Sequence, residues 1–214
     1  MKKLLAFTLA ETLIVIGIIG VVSALTLPNL NSSTGEKEKV AKVKKIYQNL
    51  DDAVGRAIAV YGPLDEWIVS DTTVASQSTR FAQRISEFLK VSKDCGVTAN
   101  RGCFSSRGSI DSSSNIYKII VADGASIGFV TWEGHRLDIY VDIDGPQKGS
   151  EIDGNDKFTF VYADGFFHPL GRSNPTGAFD SAGYDDYIWV FYHDNMDYLK
   201  CANVLNWETK TSCK

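Results

Sequence analysis

A chain of 214 residues with a formal net charge of −4 has room for one respectable core, or for a long helix plus one compact domain, and would hold two full enzyme domains only as a squeeze. The charge is unevenly placed: from Asp123 to Asp197 fourteen acidic side chains stand against four basic ones, a stretch that repels polyanions and argues against a nucleic-acid partner. Four cysteines, Cys95, Cys103, Cys201 and Cys213, fall in two close pairs with no CxxC, which suits disulfide loops in an oxidising compartment better than a metal cluster. Three connectivities are open. Local pairing is the expected one, with about 2–4 kcal/mol from each loop in the chain-entropy view.

The N-terminal run LLAFTLAETLIVIGIIGVVSALTL, residues 4–27, holds a single charge, Glu11. As a helix, residues 7–27 would extend roughly 30 Å, the thickness of a bilayer core, so a transmembrane segment is expected over 7–30. The competing reading is a secretory signal peptide, with Lys2 and Lys3 as its basic end and Val22-Ser23-Ala24 as a passable cleavage site. Glu11 weighs against it, because a carboxylate inside an apolar run is costly and a discarded signal gains nothing from it.

Ala6 followed by Phe7-Thr8-Leu9-Ala10-Glu11 resembles the processing site of type IV pilins and type II secretion pseudopilins, in which a small residue precedes the cut and F-T-L-x-E follows it. The family usually carries glycine where this chain has Ala6. The resemblance implies a leader of residues 1–6, cleavage between Ala6 and Phe7 by a prepilin peptidase, and N-methylation of the new Phe7 amine. It further implies assembly with other pilin or pseudopilin subunits on an inner-membrane platform. The implied location is the bacterial inner membrane, single-pass, with the C-terminal domain in the periplasm and later in a periplasmic or cell-surface fibre. In that setting Glu11 faces a cationic amine four residues away or on a neighbouring subunit, and a half-buried ion pair penalises wrong axial staggers more than it stabilises the right one. Lys37, Lys39, Lys42, Lys44 and Lys45 outnumber Lys2 and Lys3, and taken alone this flank charge would place the C-terminus in the cytoplasm. The cysteine pairs and the processing motif outweigh it.

Pro28 predicts a kink or break over residues 27–31. Beyond it Val40, Val43, Ile46, Tyr47, Leu50, Val54, Ile58 and Tyr61 recur at three- and four-residue steps, the core stripe of an amphipathic helix within residues 31–62 that Gly62-Pro63 ends. Residues 63–214 form the remaining globular domain. In it, 64–78 reads as a surface connection, and Phe81, Ile85, Phe88 and Leu89 as a short helical stripe. From Tyr117 the period becomes two: Tyr117 to Val121, Ile127 to Trp132, Leu137 to Ile143 and Phe158 to Ala163 read as strands, with Asp123-Gly124 as a hairpin turn. Ile188 to Tyr192 reads as a further strand, a helix being nearly as compatible. The fold class that follows is α+β, a long N-terminal helix, transmembrane in one half and amphipathic in the other, packed on a small antiparallel sheet in a pilin-like roll.

Two candidate chemistries remain. In VDIDGPQKGSEIDGNDKF the carboxylates of Asp142, Asp144, Asp153 and Asp156 crowd a turn-rich loop that could supply oxygen ligands to calcium, without EF-hand spacing; a solvated acidic loop held by glycines is the plainer alternative. His135, His168 and His193 sit in no HExxH, serine-elbow or phosphate-loop context. A non-catalytic structural subunit is therefore expected, with a membrane-anchored binding or calcium-dependent adhesion module that never polymerises as its rival.

Overall fold

The computed structural model describes residues 9–69, 73–132, 136–148 and 152–214, with the side chains of 23–34 excepted. Ala6 and Phe7 lie outside them. The chain divides into two compact units, residues 1–38 and 39–214. Helix α1 has the bounds Leu9–Tyr61, so the proline at 28 does not end it. Proline removes one backbone hydrogen bond, and the expected break at 27–31 is not where the helix stops.

In the first unit the expected transmembrane half is not found. No helix among the described residues is long and apolar enough to cross a membrane. The apolar part of α1 whose side chains are described, residues 9–22, amounts to 14 residues, about 21 Å at the helical rise against a hydrocarbon core of roughly 30 Å. The class α+β with an antiparallel sheet holds, whereas a long apolar pilin-type helix does not. The single-pass inner-membrane location, and the anchor of the rival adhesion module, lose their support for the same reason.

The second unit is built on the last turns of α1. Val40, Val43, Ile46, Leu50 and Val54 of the expected stripe are buried, joined by Ala53 and Ala57. They share one core with a six-stranded, wholly antiparallel meander composed of β1 (Val91–Gly96), β2 (Tyr117–Val121), β3 (Ser126–Trp132), β4 (Arg136–Asp142), β5 (Lys157–Ala163) and β6 (Phe166–Pro169). Register places Tyr117, Phe129, Ile139 and Phe160 in one row and Ile119, Ile127, Val141 and Phe158 in the next. All eight belong to that core.

The opposite face carries the row Lys118, Gly128, Tyr140 and Thr159. Gly128 is needed there, since a Cβ would meet Ile116 Cγ2 at 2.9 Å and the Phe104 ring at 3.3 Å. Phe104 arrives with the loop closed by Cys95 and Cys103, which forms a small second core. Both faces of the middle strands are thus covered, which explains a β3 buried along nearly its whole length.

Two short connections differ from expectation. Residues 64–67 form a 3-10 turn that buries Leu64 and Trp67, and α2 (Val74–Ser86) begins well before its apolar stripe, with Thr73 accepting a hydrogen bond from the Ser76 amide at 3.2 Å. Ile188 to Tyr192 is not a strand but lies in α4 (Asp185–His193). Between them α3 (Ser109–Ser112) braces the first disulfide loop, and α5 (Tyr198–Cys201) leads to the second.

Candidate functional site

Residues 9–22, LAETLIVIGIIGVV, are the first described residues of α1, and every one of them is exposed. Leu13, Ile14, Val15, Ile16, Ile18, Ile19, Val21 and Val22 keep between 53% and 63% of their surface open. A helix apolar on all sides is normally found inside something. Each Leu, Ile or Val buried from this state would contribute about 1.5–3 kcal/mol, so the segment is a strong driver of association and too large an apolar patch for an isolated soluble chain. Gly17 and Gly20 have open space around the position of a missing Cβ. A neighbouring helix can therefore approach closely along that edge.

Glu11 lies on the described part of α1 and is exposed.

The acidic loop is brought together only in part. Asp142 is buried, and its Oδ1 accepts from the amides of Asp144 and Gly145, both at 3.0 Å. Asp156 is fully buried, and its Oδ1 accepts from the Ile152 amide at 2.8 Å. Asp144 lies 3.8 Å from Lys42 Nζ, while Asp153 is exposed and forms an isolated bridge with Lys157. These carboxylates shape turns. Among the described residues no three His, Cys, Asp or Glu side chains are gathered in a way that could hold a metal ion.

The cysteines pair locally, Cys95 with Cys103 and Cys201 with Cys213, at Cα separations of 6.3 and 5.8 Å. His193 is packed between Trp189 and Trp207, at ring distances of 4.2 and 5.2 Å, and desolvation there lowers its pKa. His168 is exposed on β6 with its Nδ1 2.9 Å from the Pro169 carbonyl. His135 lies outside the described residues. The sequence reading missed an open groove beside β6 and α4, lined by Tyr47, Phe166, His168 and Tyr192 among others; the Asp164-Gly165 pair just after a predicted strand was the signal that a further hairpin strand follows.

Comparison with family models, with curated proteins and with solved structures finds no match to this chain. The expected pilus or type II secretion assignment and transmembrane helix are accordingly without support from relatives or from the helices among the described residues. The two disulfides are present.

Proposed function

We propose that the chain is a non-catalytic structural subunit that is cut between Ala6 and Phe7 by a prepilin-type peptidase and assembles with like subunits through its N-terminal helix. The kind of fibre it joins is that of the type IV pilins and type II secretion pseudopilins, which its F-T-L-A-E segment resembles. One observation carries the reading: residues 9–22 are helical, apolar on every side and uncovered within the chain. Lateral packing of such helices buries that surface without a membrane span. Glu11, near the end where cleavage would create an amine, supplies a charge that rewards one axial stagger over others.

Mass spectrometry of the mature chain, run on the wild type and on Glu11→Ala, tests it. The expected wild-type N-terminus is a methylated Phe7. Glu11→Ala should be cleaved and folded like the wild type yet be lost from assembled fibres. A mature chain starting after Ala24, or normal assembly of the variant, would overturn the proposal.

A further inference from the structure

Where the β5–β6 hairpin meets the end of α4, an open groove of about 570 Å³ lies wholly within residues 39–214. Its size falls among clefts that hold small ligands, about 300–1,000 Å³. Aromatic rings form its sides. Phe166 is 73% exposed and Tyr192 63%, an unusual cost for side chains this large unless something covers them. Both are held for contact. Phe166 follows directly on the tight turn in which Asp164 and Gly165 take φ of 53° and 85°, and the Tyr192 ring stands edge-on to Trp207 at 5.6 Å. Deeper in, Tyr47 stacks on Phe167 at 5.2 Å and donates its hydroxyl proton to the Phe167 carbonyl at 3.0 Å.

The polar lining narrows the ligand. Arg172 is spent: its Nε donates to Asp185 Oδ1 at 2.8 Å and its Nη2 bonds to Asp185 Oδ2. That pairing removes the obvious anchor for an anion. Asp164, His168 and Ser173 remain along the rim, groups suited to hydroxyls as acceptors and donors. An added peptide strand is disfavoured, because Pro169 has no N–H to offer and the Phe167 carbonyl is already occupied.

Exposed aromatic side chains interrupted by uncharged or acidic hydrogen-bonding groups, with no free cation among the described lining residues, match a pyranose, which presents an apolar C–H face and a belt of hydroxyls. We infer that this groove is a binding site for a neutral oligosaccharide, seated on Phe166 and Tyr192. The inference is independent of the assembly reading, since none of these residues lies within residues 9–22.

The test is fluorescence titration of the full chain with cellotriose, maltotriose and chitotriose, with choline as a cationic control. Saturable binding of at least one trisaccharide is expected in the range of about 0.1–10 mM, unaffected by raising salt from 0.05 to 0.5 M, as befits an uncharged ligand. Phe166→Ala and Tyr192→Ala should each weaken it at least about tenfold while leaving the melting temperature within about 2 °C, and Val204→Ser, on another exposed surface, should leave affinity unchanged. No saturable response to any of the three sugars, affinity insensitive to both aromatic substitutions, or binding of choline in their place would overturn it.

Discussion

Two adjacent carboxylates at the start of α4 have opposite fates. Asp185 is fully buried and fully committed: besides Arg172 it accepts from the Asp180 amide and the Trp207 indole N–H, both at 2.8 Å. That ion pair ties the segment around Arg172 and the C-terminal tryptophan to one helix end. Its neighbour Asp186 is half-buried, and its Oδ1 has no hydrogen-bond partner. Burial, aided by the nearby charges of Asp153 and Asp185 and opposed by the backbone amides of the helix start, pushes its pKa up from 3.8 to about 6. A folded-state value above the unfolded one means that the protonated form is favoured by folding. The stabilisation is complete below about pH 4 and is lost as pH rises through 6, so ionised Asp186 is a liability at neutral pH. Asp186→Asn, which keeps an acceptor for the helix amides, should raise stability by about 1–2 kcal/mol at pH 8, allowing for solvent screening. The gain should shrink toward zero near pH 4.5. Thermal melts of both proteins across that range check it, and a pH-independent difference would refute the assignment.

At the scale of elements, the first disulfide loop owes its shape as much to one carboxylate as to its covalent bond. Asp111, the buried residue of α3, accepts from the amides of Gly102, Cys103 and Phe104 at 3.1–3.2 Å. Behind it the fully buried Lys118 donates to the carbonyls of Asp111 and Ser113, at 3.3 and 2.5 Å; desolvation lowers the Lys118 pKa and the Asp111 charge works against that shift. Asp111→Ala leaves three amides without their acceptor and takes away the negative charge beside a buried cation, and should cost about 3 kcal/mol, comparable with the disulfide itself. Urea unfolding measures it; a loss below about 1 kcal/mol would show that the bond alone sets the loop. None of this was legible in the sequence, because an aspartate in a serine-rich stretch has no periodicity to betray it. The middle strands were legible, since their apolar face alternates strictly. β1 escaped because it is an edge strand, largely exposed, with no apolar face. α4 was misread because Ile188 to Tyr192 is all β-branched or aromatic apart from its spacing, and Tyr187 through Val190 are buried in succession, so the helical period vanishes from the pattern. The uncovered N-terminal helix was legible as an apolar run.

For the molecule as a whole, the division of labour between the two units can be put to a direct test. Every member of the main core, from Val40 to Trp207, and both disulfides fall within residues 39–214. Removing residues 1–38 deletes no buried core side chain among those described. It does delete the exposed apolar side chains between Leu9 and Val22, the surface most able to drive association. A chain starting at Lys39 should therefore fold with both disulfides formed, melt cooperatively within a few degrees of the full chain, and run as a monomer in light-scattering chromatography. The full chain should associate under the same conditions, and progressive substitution of Ile14, Ile16 and Ile18 by serine should return it to the monomer without changing its melting temperature. The substitutions remove association and spare the fold because these side chains lie in the first unit and are exposed, each at 60–62%. If the shortened chain failed to fold, residues 1–38 would have to contribute to the core of the second unit, and the apolar helix could no longer be explained by what it binds.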